Sequence, residues 1–409
     1  MTTIVRCGAL LDGTGAEPLR GASLVIEDHT IVAVDRNGEA ARGATVIDAG
    51  DLTVLPGLID CHVHLRSSPQ SIQQQLLTPY SLGIAQTLAN ARLTLEAGFT
   101  TVRDAAGTPR GVKLAIEQGL FPGPRLRVAV GGLSQTGGHG DRTMPSGADL
   151  RVDTPEHPVT LVDGVEQVRK ATRELVRAGA DQIKVHTSGG VMSPNDEPGA
   201  TGFSPEEIAV IVYEARAAGK TVMAHAHATQ GIKNAVRAGI ESIEHGSYLD
   251  EEAVDEMRRR GTYLVATLVA PLWGVRRAEQ DPATMPPYAL RKTKEVIEVH
   301  RASFRLAVER GVKIAMGTDS GVGPHGSNAE ELQLMVELGM TPMQAIVAAT
   351  GTAAACACLG HLTGTLQPGK RADVLAVDGD PLQDITVLQD RARLRLIMKD
   401  GQAFKNTRP

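Results

Sequence analysis

Apolar positions along the chain fall into two kinds of pattern. The two ends, 1–55 and 365–409, carry short β-prone runs. These are Ile4–Val5, Ser23–Ile26, Thr30–Val34, Val46–Ile47 and Thr53–Val54, then Ala372–Val377 and Leu394–Met398. Gly13–Gly15 and Asp28–His29 interrupt the first group; Asp378-Gly379-Asp380-Pro381 reads as a turn and Lys399-Asp400-Gly401 as a hairpin signal. The ends together predict one small β-sandwich. The middle, 56–364, alternates instead. Strand-like runs occur at Gly57–His64, Thr100–Asp104, Arg125–Val130, Gln182–Thr187, Thr221–His227, Ser242–His245, Tyr263–Val269 and Lys313–Asp319. Between most of them lie helix-period segments, among them Leu77–Ala97, Gly164–Ala178, Pro205–Ala218, Glu251–Arg260 and Thr293–Arg310. Gly98, Gly179 and Gly219 stand just past the last apolar positions of three of these helices, where the chain favours a left-handed residue. Ser204-Pro205-Glu206-Glu207 combines an N-cap, a first-turn proline and early acidic residues. The proline-rich stretch Pro271–Pro287 predicts a long loop after the seventh strand, with Trp273 as part of a lid. Eight strands alternating with helices predict an α/β fold, a (β/α)8 TIM barrel. A doubly wound open sheet would need a glycine-rich phosphate turn after an early strand. Ser134–Gly140 has the glycines but no following Lys-Ser/Thr.

Composition narrows the function. A chain of 409 residues with 42% apolar content can bury a large core, and its 44 glycines suit tight turns. A net charge of −5 gives no reason to expect nucleic acid or an anionic membrane as partner. No run approaches the roughly 20 apolar residues of a spanning helix. The N-terminus has neither the basic region nor the apolar stretch of a signal peptide. Four cysteines make no disulfide framework, so a cytoplasmic location is expected. Cys61, and Cys356 with Cys358 on an alanine-rich helix, read as packing. Aromatics are only 3% of residues, which weakens any pocket that selects by ring stacking.

The chemistry lies at the strand ends, where a barrel of this kind keeps its active residues. Strand one ends His62-Val63-His64, and residues two apart on a strand share a face. One such pair is equally well a structural pair. Strand five, however, ends His225-Ala226-His227, strand six Glu244-His245 and strand eight Thr318-Asp319. Histidines and a carboxylate converging on one barrel mouth need partners, and a divalent cation supplies them. Spacing alone leaves either His225 or His227 as the ligand. Lys184, flanked by Ile183 and Val185 on strand four, is costly when charged and buried. It is either paired with an acid, or it is a neutral amine that has captured carbon dioxide as a carbamate able to bridge two cations. His186 shares its face; it either lines the same cavity or bonds to backbone. Arg103-Asp104, after strand two, reads as a supporting ion pair.

Eight motifs, in order, carry a family resemblance: LPGLIDCHVH (Leu55–His64), AGFTTVRDA (Ala97–Ala105), SQTGGHGD (Ser134–Asp141), GADQIKVHTSGGV (Gly179–Val191), AHAHA (Ala224–Ala228), IEHG (Ile243–Gly246), GTD (Gly317–Asp319) and GKRADVLAVDGDP (Gly369–Pro381). The chain resembles the amidohydrolase superfamily. Within it, the chain resembles the aminoacyl-dipeptidase branch of Xaa-Pro dipeptidases and Xaa-Arg/Lys carboxypeptidases, with ochratoxin-hydrolysing amidases as near relatives. The resemblance implies a barrel with a β-sandwich and two zinc ions. It assigns His62 and His64 to one metal and His225 and His245 to the other, with N6-carboxylated Lys184 as bridge and Asp319 completing the set. It leaves His227 as a substrate contact, with His186 offered as another by strand alternation alone, and it implies a homo-oligomer.

Zinc ions sharing a water would supply hydroxide near neutral pH. Asp319 would act as general base and pass the proton to the leaving amine. His139, in the glycine-rich loop after strand three, is a candidate donor to the oxyanion, or else a structural loop histidine. The expected reaction is hydrolysis of a dipeptide or N-acyl amino acid, releasing the C-terminal amino acid. Rival readings are a cyclic-amide or lactone hydrolase, a ring deaminase, and a non-catalytic scaffold. The deaminase would place Glu where Ala228 stands, and a scaffold would have lost ligands that are all present here.

Overall fold

The computed structural model describes residues 1–35, 43–150, 154 and 156–407. Both chain ends build one mixed sheet from β1 (Thr2–Leu10), β2 (Leu19–Arg20), β3 (Ser23–Glu27), β4 (Thr30–Asp35) and β5 (Thr45–Pro56), joined by three C-terminal strands. The order is β16-β15-β14-β5-β1-β3-β4, with β2 beside β1; β14 is Val374–Val377, β15 Leu394–Lys399 and β16 Gln402–Asn406. β5 pairs parallel to β1 and antiparallel to β14, so the two ends of the chain meet at this strand. The sheet folds back on itself, Thr30 bridging to Arg371, around Val5, Leu24, Ile26, Val54, Val374 and Leu396. Asp400 and Gly401 both have positive φ (49° and 74°), as a two-residue hairpin between β15 and β16 requires.

The middle of the chain carries the parallel strands. β6 (Leu58–Val63), β7 (Phe99–Asp104) and β8 (Arg125–Val128) form one sheet. β9 (Gly132–Leu133), β10 (Gln182–His186), β11 (Thr221–Ala226), β12 (Ser242–His245) and β13 (Tyr263–Val265) form the other. Every residue of β6, β7 and β12 is buried, as expected for parallel strands covered on both faces. β5 passes into β6 through Gly57, where a Cβ would lie 2.1 Å from Thr100 Oγ1, so only glycine fits.

The barrel is irregular at two places. The third run is not one strand, because Val130 takes a φ of 66° between β8, paired to β7, and β9, paired to β10. The eighth run, 313–320, forms isolated bridges instead of a strand. It still links the sheets. Leu264 N donates to Lys313 O (2.8 Å) on one side, and Asp319 N to His62 O (2.7 Å) and His64 N to Ser320 O (2.7 Å) on the other. Beneath the mouth, buried Asp60 accepts from Thr318 Oγ1 (2.6 Å), Asn328 Nδ2 (2.7 Å) and His62 N (3.0 Å), tying the first run to the eighth.

Helices cover the outside. Gly164–Arg177, Pro205–Ala217 and Glu251–Arg260 match the expected spans, and Ser204 and Glu207 form a capping box. The segment expected as a helix over Leu77–Ala97 holds Tyr80–Glu96, and a separate short helix, Ile72–Leu77, precedes it across Thr78-Pro79. The expected loop at Pro271–Pro287 is a correction. It is largely helical: Val269–Gln280, a short turn at Pro282–Thr284, then Pro287–Glu309. Trp273 is only 5% exposed and donates from Nε1 to Glu330 Oε2 (2.8 Å), so it is core, not lid.

Candidate metal centre

Seven histidines meet at the strand ends: His62, His64, His139, His186, His225, His227 and His245 are linked by ring contacts of 4.1 to 5.4 Å between centroids. Backbone geometry helps aim them. His245 (φ 71°), Thr267 (φ 56°) and Asp319 (φ 60°) all sit in the left-handed region at or near the ends of their runs. The turn at His245 breaks strand alternation, so Glu244 and His245 both reach His62.

Each imidazole is oriented through one nitrogen, which leaves the other for the interior. His62 Nδ1 lies 2.7 Å from Glu244 Oε2 and His64 Nδ1 3.0 Å from Ala106 O. His245 Nδ1 meets Thr267 Oγ1 and His227 Nδ1 meets Ser247 Oγ, both at 2.7 Å. His186 Nδ1 bonds Leu133 O at 2.9 Å, so this ring does bond to backbone while it also lies 5.4 Å from His139 and His225. His225 is turned the other way: Nε2 bonds Gly189 O at 3.1 Å and Nδ1 remains. Carbonyls and carboxylates only accept, so the nitrogens that face them carry the protons and the opposite nitrogens offer lone pairs.

The offered atoms converge. His62 Nε2 is 3.5 Å and His64 Nε2 3.3 Å from Asp319 Oδ1, and Lys184 Nζ is 3.4 Å from His62 Nε2. Ligand atoms of His62, His245 and Asp319 lie within 4.8 Å of one another, as do those of His225, His227 and His245. The geometry brings together every candidate ligand from the strand ends, and it leaves both His225 and His227 beside His245. Nitrogen and carboxylate donors in this number suit a divalent metal cation.

Electrostatics fit the same use. Burial, then the neighbouring Lys184, pushes His62 down to about 4, and burial pushes His227 and His186 to about 3; all three are neutral at pH 7, the state a metal ligand such as His62 must have. Burial lowers the Lys184 amine to about 8 against the pull of Glu244 and Asp319. Lys184 makes no ion pair among the described residues; Glu244 and Asp319 act on it from farther off. Burial alone would raise the Asp319 carboxyl, but His64, His62 and Lys184 hold it below its ordinary value.

Several supporting contacts were not legible in the sequence pattern. Glu244 receives Arg103 Nη2 on Oε1 (2.9 Å) and Ser242 Oγ on the same oxygen (2.5 Å). Burial would raise its carboxyl, but Arg103, then His62 and Lys184, bring it down to about 2. The expected Arg103–Asp104 pair does not form, because successive strand residues face opposite ways. Arg103 turns inward to Glu244, and Asp104 accepts from Leu65 N (2.8 Å) and Thr108 Oγ1 (2.7 Å). His139 stacks on His225 (4.1 Å, 13°) with Nδ1 2.9 Å from Ser193 Oγ. Cys61 and Cys356 are free and buried, which accords with packing.

The chain matches the amidohydrolase family over residues 53–404. It is 38% identical to the ochratoxinase of Aspergillus niger over 427 aligned positions, covering 98% of this chain and 86% of that one. The crystal structure of a Xaa-Pro dipeptidase with methionine bound in its active site superposes with a TM-score of 0.92 at 35% identity, over 99% of this chain and 100% of that one. The crystal structure of A. niger ochratoxinase superposes with a TM-score of 0.88 at 36% identity, over 99% and 96%. A mouth of oriented imidazoles at the strand ends of this α/β barrel, in a chain so related, places the protein in the amidohydrolase family, as a hydrolase of amide bonds.

Proposed function

We propose that the chain is a binuclear zinc amidohydrolase that cleaves dipeptides or N-acyl amino acids and releases the C-terminal amino acid. The observation that carries this reading is the convergence of six donor groups from five runs on one mouth, each histidine among them held through its outward nitrogen. His62, His64, His225, His245, Asp319 and carboxylated Lys184 would hold the two ions. When bound, these supply Lewis acidity at the amide carbonyl and lower the pKa of the attacking water. The chain's own residues do the rest. Asp319, ionised at neutral pH, takes the proton of the attacking water and passes it to the leaving amine. His139, His186 and His227 line the cavity and bind the substrate.

The test is hydrolysis of a library of dipeptides and N-acyl amino acids, followed by free-amine release, with Lys184→Ala and Asp319→Asn as variants. Both variants should lose at least a hundredfold in kcat/KM, the scale of an essential acid–base group. Full activity in either overturns the mechanism. Elemental analysis of protein purified without chelators should find two zinc ions per chain, and clearly fewer overturns the binuclear assignment.

A further inference from the structure

A chain of polar contacts outside the ligand set fixes which nitrogen of His139 carries its proton. The loop after β10 supplies Ser193 and Asp196; the helix Pro287–Glu309 supplies Lys292. Lys292 is 1% exposed. Its ammonium donates to Ser193 O (2.8 Å), to Gly190 O (3.3 Å) and to Asp196 O, and lies 3.6 Å from Asp196 Oδ1. Burial raises the Asp196 carboxyl while Ser193, the Gly190 backbone and Lys292 pull it back down; ionised, it only accepts. The Ser193 hydroxyl donates to Asp196 Oδ1; its other neighbour, Gly190 O, is 3.4 Å away. A hydroxyl has one hydrogen. With that hydrogen on Asp196, Ser193 Oγ meets His139 Nδ1, 2.9 Å away, as an acceptor. Nδ1 is therefore the protonated nitrogen. Gly190 packs so closely on this edge that a Cβ would lie 2.2 Å from Nδ1, and stacking on His225 fixes the ring plane.

We propose that Lys292, Asp196 and Ser193 are positioning residues that lock His139 as the Nδ1–H tautomer, so that Nε2 offers the substrate a lone pair and accepts a hydrogen bond. This reverses the donor role expected of His139 from its place in the chain. Resting on the proposed function, it also names the substrate class. An N-acyl amino acid anion with an apolar side chain has one hydrogen-bond donor, the N–H of its secondary amide. His139 thus favours secondary amides, as in N-acyl phenylalanine, over tertiary amides such as those of proline.

The test has two arms on the zinc-loaded full chain. In the first, protein labelled with 15N-histidine is examined by long-range 1H–15N correlation, and the His139 ring is assigned by its disappearance in His139→Gln. Wild type should show Nδ1 protonated and Nε2 bare. Ser193→Thr, which keeps the hydroxyl, should retain this, and Ser193→Ala should lose it. An Nε2–H tautomer in wild type, or an Nδ1–H preference untouched by Ser193→Ala, overturns the proposal. In the second arm, kcat/KM is compared for N-acetyl-L-phenylalanine and its N-methyl amide twin. The preference for the N–H substrate should shrink roughly fivefold in Ser193→Ala, the worth of one hydrogen bond. A ratio equal in the two proteins overturns the substrate assignment. The first arm needs no turnover, so a protein that hydrolyses no amide would sink the proposed function while the tautomer is still decided.

Discussion

Among single residues, Glu244 bears the most weight without being a ligand. Its carboxylate forces the proton of His62 onto Nδ1 and so presents Nε2 to the interior, while Arg103 neutralises it from behind. Glu244→Gln keeps the shape and removes the charge. Zinc affinity should fall ten- to a hundredfold, read by competition with a chromophoric chelator. The same change leaves the Arg103 guanidinium, 2% exposed, without its counter-charge, so urea unfolding should show a loss of roughly 3–5 kcal/mol. The pH sign follows from the carboxyl value of about 2 in the fold against an ordinary 4.5. A depressed carboxyl stabilises the fold above 4.5, and this contribution disappears as pH falls from 4.5 towards 2. Melting curves of wild type and Glu244→Gln should therefore differ most above pH 4.5 and converge below it. Histidine, lysine and aspartate at strand ends were legible in the sequence because metal chemistry restricts residue types. Their supports were less so: Glu244 and Arg103 stand in the runs but nothing marks their contact across the barrel, and other supports are backbone carbonyls such as Ala106 and Gly189, which no side-chain pattern marks.

At the scale of elements, strand and helix periodicities placed most of the barrel, and the failures share a physical cause. Pro271 occupies the first turn of Val269–Gln280, and Pro286 and Pro287 stand at the cap and first position of Pro287–Glu309. Proline costs little there, because those N–H groups have no partner within the helix. Proline density alone therefore misread two helix starts as a loop. The eighth run failed differently: its residues bond on both sides, but the left-handed turn at Asp319 that aims the carboxylate interrupts the regular ladder. The helical reading has a consequence for Trp273. A lid residue would change catalysis and leave stability alone; a core residue does the opposite. Trp273→Ala should lower stability by roughly 3–5 kcal/mol in denaturant unfolding, the cost of emptying a buried indole site. A loss below about 1 kcal/mol with a large change in KM would restore the lid.

For the whole molecule, the barrel mouth gathers basic groups that the chain alone leaves poorly satisfied. Seven imidazole rings and an amine crowd around Asp319 and Glu244, and burial holds the amine of Lys184 at about 8. Folding therefore stores lone pairs facing one another, and cation binding to the folded chain should feed directly into global stability. A ligand at a hundred times its dissociation constant adds about 2.7 kcal/mol. Stripping metal with a chelator should accordingly lower the melting temperature and abolish hydrolysis together, and zinc should restore both. The amine adds a condition that simple reloading lacks. Carbamate forms only from the neutral amine, which is the minority form at pH 7 and half the population near pH 8 for a group at about 8. Recovery of stripped protein in zinc should thus quicken when bicarbonate is added and when pH rises from 7 to 8, and Lys184→Ala should show neither effect. Full recovery in carbon-dioxide-free buffer at a rate indifferent to pH would mean that Lys184 meets the cations as a plain amine or not at all, and the bridging role would have to be given up.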